Sequence, residues 1–423
     1  MVPRLFLFLF IILFNTACCS QPRVCHLDAV ILTTGKDSLA FERSINSSLK
    51  HFLDVRNFYI ITPHVVELTK RWGGRLGPRV KFVGEGDFPF TGAVVADVMY
   101  NSVRDAGIYP LTGKSSFEGM MYGKIGWFLQ QLLKLYAGRV LSLDDFILLD
   151  SDCVWFRDIK FVAACNATHK SFYYASSSQY HPPYMNTIGK ISGVGPVASK
   201  VHRSGIVHHM VLAKHVLDGL MNDTQRRHHG MPFWQVMLNV SALEMTCRAP
   251  HTSVCGEGST LSEYELYFNY ARAKYPETVT LRPLMWTNGP APGLLYWPKV
   301  SDGLTSDGRK GHWLHHRQRQ AANILDHQIK ADMFQGYDYV GYHAYAKRRY
   351  SELVGEDLEM LCRNVSQPRN STCSWRGHEE MGKIDMKHMR TPGKGPGYQA
   401  EARSAQQYFQ GCACWMAKHQ SGP

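Results

Sequence analysis

The chain has 423 residues, of which 44% are hydrophobic and 12% aromatic, and it carries a formal net charge of +12. This length suits one large domain or two modest ones, and so high an apolar share excludes a largely disordered chain. The positive charge is diffuse, with Lys347-Arg348-Arg349 as its densest run; that excludes the concentrated basic stripe of a nucleic-acid binder and favours anionic ligands such as phosphates.

Arg4 precedes the unbroken apolar run of residues 5–14, and the small-residue stretch Thr16-Ala17-Cys18-Cys19-Ser20 follows. A basic start, a short apolar core and small residues at a cleavage point form a signal-peptide pattern. The run falls short of the roughly 20 residues that span a bilayer. Residues 1–20 are therefore expected to be a cleaved signal peptide or, alternatively, an uncleaved type II signal anchor that ties the chain to a membrane. A bacterial lipoprotein signal fits less well, because Asn15 stands where that motif wants Leu. Two further features agree with a secretory route. Asn-x-Ser/Thr acceptors occur at Asn46, Asn166, Asn222, Asn239, Asn364 and Asn370. Cys247 and Cys255, Cys362 and Cys373, and Cys153 and Cys165 lie close in sequence, as in proteins of an oxidising compartment. Spacing alone does not assign the pairs.

Residues 27–34 are almost all apolar or β-branched and predict a buried parallel strand. Residues 38–52 have helical spacing, 58–62 a second strand, 64–72 a helix and 80–83 a third strand. This alternation predicts an α/β fold with a mostly parallel central sheet flanked by helices. Residues 123–136 form an amphipathic helix with Ile125, Phe128, Leu129, Leu132, Leu133 and Tyr136 on one stripe. Lys124, Trp127, Gln131 and Lys134 fall opposite, and Gly138 is read as the helix stop. The next strand, 146–149, runs into Asp150 and Asp152. Residues 172–176 predict a strand; 204–220, 232–243 and 262–275 predict helices; 278–281 and 337–342 predict late strands. Beyond Lys347 the chain is basic and aperiodic, and 391–423 is expected to be a largely disordered tail.

Residues i and i+2 of a strand share a side, and the C-terminal edge of a parallel sheet is where ligands bind. Asp150 and Asp152 are thus expected to converge on one point. Two such carboxylates repel unless a cation lies between them. Hard oxygen donors suit Mn2+ or Mg2+, which keep open positions for phosphate oxygens. A solvated turn bearing two acids explains the bare Asp-x-Asp equally well.

The longer string LLDSDCVWFRDI resembles the metal-binding Asp-x-Asp segment of GT-A-fold glycosyltransferases. The stretches GWFLQQLLKLYAG, SGIVHHMVLAKHVL, LSEYELYFNYARAKYP and DYVGYHAYAKRRY, in that order, look like a family of poorly characterised glycosyltransferase-like proteins. The resemblance implies a GT-A-like, Rossmann-like domain over residues 25–349, followed by a basic and partly disordered extension over 350–423. It implies transfer of a sugar from a UDP- or GDP-sugar, with Mn2+ or Mg2+, to a glycan, protein or lipid acceptor in the ER or Golgi lumen.

Carried onto this sequence, the resemblance makes Asp150 and Asp152 the metal and diphosphate ligands, with His343 in VGYHAY as a third ligand and Lys347 near the leaving diphosphate. Thr33, Thr34 and Asp37 match the grip on base and ribose, although one of them would serve equally as a helix N-cap. Lys124, Gln131 and Lys134 would face the donor; a solvated polar face is the alternative, against which Trp127 stands out. Ser262 and Glu265 have the spacing of a capping box, which leaves Glu263 without a structural task. Glu263 is then the general base if the enzyme inverts, or an acceptor-positioning group if it retains. His208 and His209 would line the donor-sugar pocket, and Trp286 would stack on an acceptor sugar or pack in the core. Two other functions compete: a non-catalytic glycan- or nucleotide-sugar-binding protein that has kept the fold, and a haloacid-dehalogenase-type phosphatase with Asp150 as nucleophile. The latter lacks the late acidic pair that its motif set requires.

Overall fold

A computed structural model describes residues 25–34, 38–107, 114–166, 169–177, 181–195, 204–245, 259–290, 325–326, 329–330, 332–333, 337–343 and 350–352. β1 (Leu27–Leu32) is buried at every position, as expected of a strand covered on both faces. It is followed by α1 (Ser38–His51), β2 (Val55–Thr62), α2 (Val65–Leu76) and β3 (Val80–Gly84). α3 (Gly92–Asp105) starts at Thr91, whose hydroxyl accepts the Val94 N–H at 3.2 Å. Then come α4 (Lys114–Val140), β4 (Phe146–Asp150), β5 (Cys153–Trp155), β6 (Val162–Cys165), β7 (Lys170–Tyr174) and α5 (Pro182–Ser192). β8 (His209–Leu212), α6 (Lys214–Arg227), α7 (Phe233–Met245), α8 (Glu263–Lys274) and β9 (Val279–Leu281) follow, with β10 (Trp286–Pro290), β11 (Tyr339–His343) and β12 (Tyr350–Glu352) last.

The fold is α/β. The main sheet has the order β3-β2-β1-β4-β8; its first four strands are parallel, and β8 runs antiparallel to β4. The chain steps from β1 out to β3, then crosses back to lay β4 on the other side of β1. The direction of winding therefore reverses between β1 and β4, and loops leaving their C-terminal ends part there. A second sheet, β12-β10-β11-β5, and a third, β6-β7-β9, complete the architecture. α4 packs on β1, α1 on β5, α2 on β3 and α8 on β8, while α3 and α5 lie against α7.

Two expectations, on residues 204–220 and on Gly138, need correction. Residues 204–220 are not one helix: His208 has a left-handed backbone (φ 59°), His209–Leu212 pair with β4, and the helix begins only at Lys214. The apolar spacing is shared by a buried strand and a helix, and pairing with β4 decides between them. Gly138 does not stop α4, which continues to Val140; a Cβ there would lie 2.6 Å from the Phe146 ring, so glycine serves close helix–strand packing. Cys165 bonds Cys25, tying the entry to β1 onto β6, and Cys153 is a buried free thiol. The remaining cysteines and residues 391–423 lie outside the described residues.

Candidate functional site at the end of β4

Leu32 and Asp150 stand opposite each other at the ends of β1 and β4. Thr33 and Thr34, just beyond, therefore share with Asp150 the edge where the winding reverses. The Thr33 N–H donates to the Ile61 carbonyl at 3.1 Å. Its hydroxyl is buried and has no hydrogen-bond partner among the described residues.

Asp150 is held on both carboxylate oxygens. Oδ1 accepts from Lys134 Nζ at 2.7 Å and from the Tyr264 hydroxyl at 2.9 Å, and Oδ2 lies 2.9 Å from His208 Nδ1. Its own N–H donates to the His208 carbonyl at 2.9 Å. Lys134 also donates to Glu263 Oε1 at 2.6 Å and reaches the Tyr264 oxygen at 3.4 Å, so its three N–H groups have three partners. Lys134 is 4% and Glu263 2% exposed.

Burial by itself would raise the Asp150 carboxyl, but the Lys134 charge and the His208 hydrogen bond outweigh it and hold the group well below the usual carboxylate range. Burial would lower Lys134, yet the charges of Asp150 and Glu263 prevail and push it up. For Glu263 burial wins: the same ammonium offsets it only in part, and the carboxyl is raised. Burial, then the neighbouring charges of Asp150 and Glu263, lifts Tyr264 well above its ordinary value, so its hydroxyl stays a donor.

Asp152 is not the next-but-one residue of a strand. β4 ends at Asp150, and Ser151-Asp152 form a turn into β5. The strand alternation expected to bring the two acids to one point is therefore absent, and Asp152 follows Asp150 through a turn. The Asp152 carbonyl accepts the Tyr342 N–H at 2.8 Å, and the Cys153 thiol lies 3.9 Å from Asp152 Oδ1. β11 pairs antiparallel with β5, Gly341 opposite Cys153. Continuing that register brings the backbone of His343 to the level of Ser151; its side chain lies outside the described residues, as do Asp37 and Lys347 altogether.

The polar side of α4 is engaged by protein partners. Lys124 Nζ donates to Ser259 Oγ at 3.1 Å, and Trp127 Nε1 to the Leu261 carbonyl at 2.9 Å. Gln131 Oε1 accepts the Glu263 N–H at 3.1 Å. Together with Lys134 these residues form the seat for residues 259–264. This also explains Trp127: its ring covers the chain that leads into α8.

The remaining candidates have structural partners. Ser262 caps α8 by accepting the Glu265 N–H at 3.3 Å, but Glu265 does not turn back to close a capping box. Its carboxylate takes the Ser204 hydroxyl and, at 2.9 Å, Asn269 Nδ2. Trp286 is 1% exposed, parallel to Tyr339 at 5.6 Å and edge-on to His208 at 5.1 Å. His209 faces inward among Trp155, Phe161 and Tyr339, with Nδ1 2.8 Å from the Val207 carbonyl. Burial drives it down to about 3, so it is neutral.

Two residues central to this cluster, Tyr264 and His208, carry no sequence signal for the role. Tyr264 reads as one more aromatic of an aromatic-rich helix, and His208 as half of a histidine pair.

An ionised carboxylate has about four lone-pair positions. Asp150 uses two on Oδ1 and one on Oδ2, which leaves it a single bond to offer a cation. Two carboxylates, Asp150 and Glu263, share the Lys134 ammonium. Among the described residues no group of three or more His, Cys, Asp or Glu side chains is arranged to hold a metal ion.

Residues 26–281, well over half of the chain, match a family of unknown function (DUF6492), and the chain belongs to that family. The matched span contains Lys134, Asp150, Asp152, His208, Glu263 and Tyr264 and ends before β10. No curated protein matches the chain.

Proposed function

We propose that this DUF6492 chain is a nucleotide-sugar-dependent glycosyltransferase of GT-A type, acting with Mn2+ or Mg2+ in the lumen of the secretory pathway. The observation that carries this reading is the place of the acids. Asp150, held ionised, ends the strand at the winding reversal, beside Thr33 and Thr34, where open α/β sheets bind ligands.

In this reading Thr33 and Thr34, with Asp37, receive the nucleoside, and the buried Thr33 hydroxyl has no hydrogen-bond partner among the described residues. Asp152 and the remaining lone pair of Asp150 would hold the cation, with His343 beside them and Lys347 near the diphosphate. The cation would supply Lewis-acid stabilisation of the departing diphosphate. Lys134 neutralises Asp150 and is not a phosphate ligand, because its donors are spent. Glu263 aims Oε1 at Lys134 and is buried; it fixes Lys134 in place. The carbohydrate-bearing acceptor would approach over the same edge, with Trp286 supporting the site from the core. The Cys25–Cys165 disulfide supports an oxidising compartment, as do the exposed acceptors Asn46, Asn166 and Asn222. Among the described residues no helix is long and apolar enough to cross a membrane.

The burial of Glu263 favours one second reading, in which the protein binds nucleotide sugars without transferring them. A phosphatase has less support, since a nucleophilic Asp150 would have to attack with a carboxylate already held by three donors. The test is a panel of UDP- and GDP-sugars with Mn2+ or Mg2+, following binding and nucleotide release. Cation-dependent release that disappears in Asp152→Ala, with the fold retained, is expected. Binding without release selects the second reading; no binding of any nucleotide sugar with either cation removes the basis for both.

A further inference from the structure

We propose that His208 is a positioning residue for Asp150: it aims the one carboxylate lone pair left for the cation. The proposal rests on the transferase reading above. His208 is bound to Asp150 twice, through its carbonyl to the Asp150 N–H and through Nδ1 to Oδ2, both at 2.9 Å. Asp150 is ionised and can only accept, so Nδ1 carries the proton. The imidazole is 7% exposed and held edge-on against Trp286 at 5.1 Å.

The backbone gives the second, independent observation. His208 is in the left-handed region at φ 59°, where glycine is unstrained and a side chain costs free energy. Such strain persists where the surroundings over-determine it, commonly beside a functional group. The left-handed turn is what lets one residue meet both the N–H and the carboxylate of Asp150. A glycine would satisfy the turn and the carbonyl contact; only the imidazole reaches Oδ2. Lys134 and Tyr264 fill Oδ1, and among the described residues His208 is the donor on Oδ2, so it decides which Oδ2 lone pair stays open.

His208→Gly separates this role from a structural one. Strain relief offsets part of the stability lost with the ring's contact to Trp286, whereas loss of the orienting bond predicts Mn2+ binding weakened about 10- to 100-fold. The measurement is titration of the full-length chain with Mn2+, alone and with UDP or GDP, followed by electron paramagnetic resonance of free Mn2+. His208→Asn should recover most of the affinity, because Asn tolerates the left-handed backbone and its amide donates to a carboxylate. Wild-type affinity in a folded glycine variant overturns the role, and so does an asparagine variant that folds but binds as weakly as the glycine one. If the wild-type chain binds no Mn2+ with either nucleotide, the transferase reading and the role fall together. An unchanged glycine variant of a chain that does bind Mn2+ removes only the role of His208.

Discussion

Lys134→Met isolates the central electrostatic contact. The substitution keeps the length and apolar stem of a side chain that is 4% exposed and deletes the ammonium at 2.7 Å from Asp150 and 2.6 Å from Glu263. Asp150 retains Tyr264 and His208 and stays charged. Glu263 keeps only its own backbone N–H, and breaking a buried pair in this way typically costs about 3–5 kcal/mol. The variant can limit that loss by protonating Glu263. From the ordinary glutamate value of 4.5, protonation at pH 7 costs roughly 3.4 kcal/mol, and the cost falls by about 1.4 kcal/mol per pH unit. The sign follows: a carboxyl raised in the fold contributes stability that is fully present below 4.5 and is lost as pH rises through its folded value. Lys134→Met should therefore be about 3 kcal/mol less stable than wild type at pH 7 and about 1 kcal/mol less stable at pH 5. Urea unfolding followed by tryptophan fluorescence measures both. Adding Glu263→Gln should remove the pH dependence of the deficit. A deficit below about 1 kcal/mol at pH 7, or one that does not shrink on acidification, would refute the placement of Glu263 against Lys134 as its sole charged partner.

Two other outcomes follow from the same geometry. His209 is neutral in the fold down to about 3 but takes a proton near 6.5 when unfolded, so its contribution is present above 6.5 and is lost on acidification, at about 1.4 kcal/mol per pH unit. His209→Phe should flatten the stability profile between pH 6 and 4 by that amount; parallel profiles would contradict it. Gly205→Ala would put a Cβ 2.7 Å from Phe268 Cβ and 2.8 Å from the Tyr264 carbonyl, and should cost about 1–3 kcal/mol, read from the unfolding midpoint.

The parallel core was legible because its strands are buried on both faces. Leu27–Leu32 and Phe146–Leu149 are continuous apolar runs that leave few alternatives, and Asp150 at the end of the second marks the ligand edge. β8 was not legible. His-Met-Val-Leu is apolar enough for either element, and contact with β4, some sixty residues earlier, selects the strand. α3, α5, β6, β10 and β12 likewise went unread, being short or lacking a decisive period. For the site, residue type was informative where chemistry is rare in its context: two acids after four apolar residues, and Trp127 on a polar helix side. It misled where polarity was taken as exposure. Lys124, Gln131 and Lys134 are polar because they seat the chain entering α8. Glu263 seemed free of structural duty only because its partner lies 129 residues away.

By itself, then, the order of residues determined the α/β class, the central strands and the identity of the acid at their edge. These follow from local periodicity and from the penalty for exposing apolar runs. Only the tertiary structure decided what that acid touches. Hydrogen bonds and ion pairs act over about 3 Å, and the groups that meet at Asp150 come from α4, β4, the turn before β8 and the start of α8, so no local pattern encodes their meeting.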